Sequence, residues 1–245
     1  MTLSVPGSPA SISSTDSNAP LPSFEDLAPQ RPFLTIPSEE TVLEVPDLPV
    51  PVRLKVDAGP GCGGIAWPAG EVLSRYLAYR HSLDPGYLRG KKILELGSGT
   101  GLVGIVAGLL EPTVDVWVTD QVQLIDLMQR NIAHNGVSAN VHVGELNWGE
   151  EITGMPKQVD IVLAADCVYF EPAFPLLVQT LCDLAPVGDG PEILFCWKKR
   201  RKADKRFFTM LKKHFDSKPV EDDRPGEKER YTRDGVSLIR LTRRR

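Results

Sequence analysis

Glu95-Leu96-Gly97-Ser98-Gly99-Thr100-Gly101 sets an acid and then three glycines at alternate positions. The residues up to Leu96, Ile93 to Leu96, read as a buried strand, and the apolar run from Leu102 to Leu110 reads as a helix. Strand, glycine turn and helix in that order suit a nucleotide-like ligand. Glycine lets the backbone turn sharply and approach a ligand closely, and the helix N-terminus offers unpaired N–H groups to a polar or anionic group. Asp120 follows about 20 residues on, at the end of the next expected strand, where a carboxylate can accept both hydroxyls of a ribose. A plainer role for Asp120 is to stabilise the start of the following helix through its dipole.

Gly99, Gly101 and Gly104 also fit the G-x-G-x-x-G spacing of dinucleotide enzymes. In those enzymes the first glycine lies directly against the strand end. Here that glycine is Gly97, and the third position counted from it is the bulky Leu102. The acid-led spacing Glu95-x-Gly97-x-Gly99-x-Gly101 is therefore the better description. A glycine turn without a ligand is the bland alternative, but such a turn costs ordering entropy without an evident packing return.

The elements that must position these residues alternate. Expected strands are Ile93–Leu96, Val114–Thr119, Asn140–Val143, Asp160–Ala164, Glu192–Trp197 and Val236–Leu241. Expected helices are Pro68 to about His81, Leu102–Leu110, Gln121–His134, Pro172–Leu184 and Ala203–Phe215. Pro68 suits a first helical turn, and Asn135-Gly136 is a stop signal. Alternating strands and helices imply a mostly parallel sheet covered on both faces, with ligands outside the carboxyl ends of the strands. Upstream, Val42–Val45 and Val52–Val56, separated by Pro46 and Pro49, read as a small hairpin. Val52-Arg53-Leu54-Lys55-Val56 alternates strictly, so one face should be buried.

Two more motifs fall at strand ends. Glu145-Leu146-Asn147-Trp148-Gly149 follows the third strand of the main sheet; its tryptophan could wall an adenine by stacking, or close the sheet edge. Ala164-Ala165-Asp166-Cys167-Val168-Tyr169 ends the fourth. Cys167 is not preceded by proline and reads as a small apolar filler, not a nucleophile. Trp67, before Pro68, could be plain core on residue type alone.

The chain of 245 residues has 42% hydrophobic and 24% charged residues, ordinary for a globular protein, and could hold one large domain or two small ones. A net charge of -4 gives no global reason to expect nucleic acid. Residues 1–32 are rich in Ser, Pro and Ala and are expected to form a disordered tail, because they cannot bury enough surface to offset their ordering entropy. That segment has neither the basic start and apolar core of a signal peptide nor the basic character of a mitochondrial presequence. Cys62, Cys167, Cys182 and Cys196 are scattered, so reduced thiols are expected instead of zinc or disulfides. Lys198 to Arg206 holds seven basic residues and one acid. It reads as a solvated helix start, a dock for an acidic protein, or an RNA contact.

Asp166-x-x-Tyr169, taken with Trp67, the Glu95–Gly101 loop, Asp120 and Asn147-Trp148, resembles the seven-strand class I protein-lysine methyltransferases over roughly residues 40 to 245. The resemblance implies an α/β, Rossmann-like fold: a seven-stranded, mostly parallel sheet with helices on both faces, plus a small N-terminal β-hairpin at about residues 40–66. The methyltransferase domain would span residues 33–245. The implied cofactor is S-adenosyl-L-methionine, held by Trp67, Glu95, Gly97, Ser98, Gly99, Gly101, Asp120, Trp148 and Ala165, with no metal. Asp166 and Tyr169 would be catalytic, beside the target lysine. The stretch Cys196 to Phe208 resembles the fungal enzymes of this family that act on translation elongation factor 1-alpha. A protein substrate, a cytoplasmic location and a monomer are then expected, with neither membrane nor nucleic acid as partner. An RNA or small-molecule methyltransferase on the same fold, or a catalytically silent partner-binding module, are the alternatives.

Lysine methylation carries its own demand. The attacking amine must be neutral, and with a reference pKa near 10.4 its deprotonation at pH 7 costs roughly 4–5 kcal/mol. A carboxylate beside it favours the ammonium, so Asp166 suits binding and orientation better than deprotonation.

Overall fold

A computed structural model describes residues 39–57, 62–188, 190–200 and 204–245. The tail expected over residues 1–32 lies outside them. Among the described residues nine strands form two sheets. β1 (Glu39–Leu43) and β2 (Val52–Val56) make an antiparallel hairpin in which Leu43 pairs with Val52. The main sheet holds β3 (Lys92–Leu96), β4 (Asp115–Asp120), β5 (Val141–Glu145), β6 (Ile161–Ala165), β7 (Glu192–Lys198), β8 (Phe215–Pro219) and β9 (Val236–Arg243). Its order is β5-β4-β3-β6-β7-β9-β8. The first five are parallel neighbours, and β9 runs antiparallel to both β7 and β8. The strand order reverses at β3, whose neighbours are β4 and β6, and such a switch point opens a crevice at the carboxyl ends.

The parallel strands are apolar on both faces, as burial between two helical layers requires. Ile93, Val116, Val118, Ile161 and Leu163 join one core with α1 (Pro68–Leu83), α2 (Leu102–Leu110), α3 (Val122–His134) and the hairpin. Leu94, Leu96, Val162, Ala164 and Phe195 join the other with α4 (Phe174–Leu184) and α5 (Asp204–Leu211). Val52 and Leu54 are fully buried and Arg53 is exposed, as the alternation predicts.

Two readings need correction, and one helix was not foreseen. The hairpin's first strand begins earlier, at Glu39, and ends at Leu43, while Val45 is buried beyond it. The helix expected to reach Phe215 ends at Leu211, and Phe215 instead opens β8. That strand carries a single buried residue, Phe215, so no period-2 signal marks it. α6 (Glu227–Arg233) is equally silent, since its one buried side chain is Tyr231.

The hairpin is tied down by side chains that copy a strand edge. Asn131, in the last turn of α3, and Asn135, its C-cap, lie four positions apart. The Asn131 carboxamide accepts from the Lys55 N–H at 2.7 Å and donates to the Lys55 carbonyl at 3.1 Å. Asn135 does the same with Arg53, at 3.0 and 2.7 Å. Asn131 also donates to the Thr100 carbonyl at 2.9 Å, so the hairpin and the glycine loop share one anchor. On the far side of the sheet order, Arg240 on β9 bonds Glu192 of β7 at 2.7 Å and Asp222 at 2.8 Å.

Candidate active site

The turn after β3 has the left-handed backbone its glycines foretold. Gly97, Gly99 and Gly101 have φ values of 58°, 58° and 79°, a region that other residues enter at a cost. Close neighbours fix the same choice. A Cβ on Gly97 would lie 2.9 Å from the Trp148 ring and 3.2 Å from the Cys167 sulfur. One on Gly99 would collide with the Gly63 carbonyl, which the loop behind the hairpin brings up against the turn.

Local hydrogen bonds stitch this turn to β4. The Ser98 N–H donates to the Thr119 carbonyl at 2.9 Å, and the Thr119 N–H donates to the Ser98 hydroxyl at 2.9 Å. The Asp120 carboxylate accepts the Gly99 N–H through Oδ2 and the Gln121 N–H through Oδ1, both at 2.8 Å. A carboxylate has about four lone-pair directions, so Asp120 keeps capacity for two ribose hydroxyls. Burial pushes its pKa up to about 6, against the pull of those two N–H groups.

Glu95 faces the other way. It is 2% exposed, and its Oε2 accepts the N–H of Gly104 in the first turn of α2 at 2.8 Å. Burial raises its pKa to about 8. The acid of the motif thus braces the helix behind the loop.

Trp148 is buried in the second core with its ring at Gly97, so it closes the core and borders the loop at once. Its turn is pinned to α4 by the Gly149 N–H on the Thr180 hydroxyl at 2.8 Å. Next to Trp148 and Asp120 in the chain, Asn147 Oδ1 and Gln121 Nε2 are buried without a hydrogen-bond partner.

At the end of β6, half-buried Ala165 leads into Asp166, which has a φ of 61° and is 7% exposed. Its carboxylate is held by Arg200 in a two-pronged pair, Nη1 to Oδ1 at 2.5 Å and Nη2 to Oδ2 at 2.7 Å. The Lys198 N–H adds a third bond at 3.2 Å. Arg200 also lies over the Trp67 ring, 4.9 Å from its centroid, and so joins the start of α1 to the end of β6. Tyr169 is 38% exposed at the surface beyond. Cys167 is buried, its thiol donates to the Leu96 carbonyl, and burial pushes its pKa well up, which fits the filler role.

Sequence reading placed Arg200 only in a basic stretch. Its pairing with Asp166 spans 34 positions and leaves no local signature. Among the described residues no three His, Cys, Asp or Glu side chains gather as a metal site requires.

A family model described as lysine methyltransferase matches residues 49–214. The chain belongs to the lysine methyltransferase family. This methyltransferase is 44% identical over 203 residues to the protein-lysine N-methyltransferase EFM6 of Saccharomyces cerevisiae, covering 75% of this chain and 82% of that one. It is 38% identical over 167 residues to the zebrafish (Danio rerio) protein N-lysine methyltransferase METTL21A, covering 66% and 73%. The mouse (Mus musculus) EEF1A lysine methyltransferase 3 is 40% identical over 130 residues, covering 52% and 54%. Among solved structures, a predicted O-methyltransferase from Agrobacterium tumefaciens superposes with a TM-score of 0.50 at 16% identity, over 71% of this chain and 80% of that one, a likeness of fold alone. The methyltransferase is thus a class I, S-adenosylmethionine-dependent protein-lysine N-methyltransferase. The glycine turn, the open acceptor capacity of Asp120 and the two orphaned buried amide atoms fit a nucleoside-bearing donor.

Proposed function

We propose that this enzyme methylates a lysine of translation elongation factor 1-alpha in the cytoplasm, acting as a monomer. One observation carries the target: 40% identity to a relative whose name gives that substrate. In this reading Gly97, Ser98, Gly99, Gly101, Asp120, Trp148, Ala165 and Trp67 line the donor side. Asp120 takes the ribose, and Glu95 holds the loop from behind.

When bound, S-adenosylmethionine supplies an electrophilic methyl group on a sulfonium. The protein's task is then placement, since in-line displacement depends on alignment. Asp166 orients the incoming amine, and Tyr169 shapes the channel mouth at the surface. The amine proton leaves to water before attack, and desolvation in the channel lowers the lysine pKa.

The test is incubation with isotope-labelled S-adenosylmethionine and an extract from cells lacking the enzyme, followed by gel separation with and without RNase and protease. A protease-sensitive band at the size of elongation factor 1-alpha is expected, with methyl-lysine in its hydrolysate. Label on a protein of another size would move the target, and label lost to RNase would move the substrate to RNA.

A further inference from the structure

An aspartate in a lysine site is a liability. It attracts the ammonium, and an ammonium has no lone pair with which to attack. The acceptor side of this cleft pairs the aspartate in advance. Arg200 takes both Asp166 oxygens, and the Lys198 N–H takes a third position on the same carboxylate. Arg200 is itself set from two sides, by the Trp67 ring beneath its guanidinium and by Asp204, whose Oδ2 accepts the Arg200 N–H at 3.1 Å.

We propose that Arg200 is a positioning residue that cancels the charge of Asp166, so that the carboxylate can orient a lysine amine without keeping it protonated. The inference rests on the placement of Asp166 beside the target lysine. Among the described residues, three of about four acceptor directions of Asp166 are filled, which leaves one for an N–H of the incoming amine. A neutral amine can donate one hydrogen bond there and keep its lone pair for the methyl group. An ammonium in the same place would meet the guanidinium as a like charge, which disfavours the protonated form. Arginine suits the role because it stays charged at any working pH and its planar fork matches a carboxylate.

Other titratable groups stand around Asp166. Asp120 and Glu95 act on Cys167 together with Asp166, and Asp223 acts with Asp166 on Cys196. Asp204 stands behind Arg200, and Tyr169 lies beyond. Burial favours the neutral forms of Glu95 and Asp120, and the Arg200 guanidinium is paired with the Asp166 carboxylate.

The experiment compares wild type, Arg200→Gln, Asp166→Asn and the double variant by the pH dependence of kcat. The substrate is saturating unmethylated elongation factor 1-alpha, and kcat reports ionisations in the bound complex. Arg200→Gln should move the rising limb up by about one pH unit or more. That is a loss of about tenfold near neutral pH, largely recovered near pH 10. Asp166→Asn, with Arg200 left uncompensated, should move the limb down while lowering the plateau. The double variant should return the limb to within about half a unit of wild type, since both charges are gone. Binding of S-adenosylhomocysteine, followed by calorimetry, checks that each variant is folded. A rate lost equally at every pH in Arg200→Gln would overturn the proposal and leave Arg200 a scaffold. A rate gained near neutral pH would overturn it too, and make Arg200 a plug that lysine must displace. If wild type labels a lysine of a different protein, the target reading fails and that protein serves in the same comparison. If wild type labels no lysine at all, the placement of Asp166 and the role of Arg200 fall together.

Discussion

The two halves of the cleft are held by different means. On the proposed donor side, Glu95, Ser98, Gly99, Thr119 and Asp120 are joined by bonds that span at most 24 positions, and each has a backbone group at one end. On the proposed acceptor side, Asp166 is held by Arg200 from beyond β7, and Arg200 is stacked on Trp67 from before α1. A donor is the same molecule for every substrate, so a compact frame of main-chain bonds suits it. The acceptor changes with the target. Its frame is made of side chains from distant segments, which can change one at a time without disturbing the sheet.

If the halves are separable, substitutions should sort cleanly. The largest expected effect is Asp120→Ala. It removes the proposed acceptor for the ribose and strips the Gly99 N–H of its partner. With hydrogen bonds to a charged group at about 1.5–3 kcal/mol each, donor affinity should fall about a thousandfold or more. Calorimetry with S-adenosylhomocysteine measures it. Next is Asp166→Ala. Transfer should fall about a hundredfold through lost alignment, with donor affinity changed by no more than about threefold. Parallel losses of donor binding in both variants would break the comparison, because the halves would then act as one unit.

The third substitution probes the support shared by the hairpin and the glycine loop. Asn131→Ala deletes bonds to Lys55 and to Thr100. The expected cost is about 2 kcal/mol, a fall in melting temperature of roughly 4–8 °C for a chain of this size. Donor affinity should weaken less than in Asp120→Ala, since the Asp120 bond to Gly99 remains.

The same division explains what could be read in advance. The parallel strands, the glycine turn and Asp120 are visible because apolar runs, positive-φ glycines and a strand-end carboxylate are local signals. Asp166 was legible as a strand-end acid. Its partner was not, because a guanidinium 34 positions away looks like any other charge in a basic stretch. Asn131 and Asn135 were hidden for a related reason: their amides stand in for a strand edge, and only the packed hairpin reveals it. β8 and α6 escaped because each buries one side chain, too few for a period.

The last substitution falls on the acid behind the loop, and it tests whether Glu95 serves the frame. In the folded chain its pKa rises from an ordinary 4.5 to about 8, because the carboxyl is buried. Between those values the native state holds a proton that the unfolded chain has released. The contribution of Glu95 is therefore fully present below about pH 4.5 and is lost as pH rises through about 8. Asp120 acts in the same direction over a lower window, between 3.8 and about 6. Glu95→Gln keeps a carbonyl oxygen for the Gly104 N–H but cannot ionise. Its melting temperature should match wild type near pH 4.5, exceed it increasingly toward pH 8, and hold a constant lead above that. Asp120 titrates in both proteins, so its share cancels in the difference. A difference that stays flat from pH 5 to 8 would mean that the carboxyl is charged when folded, and that water or the donor reaches it from the cleft. Glu95 would then belong to the donor's own contacts, and the line between frame and site would move inward by one residue.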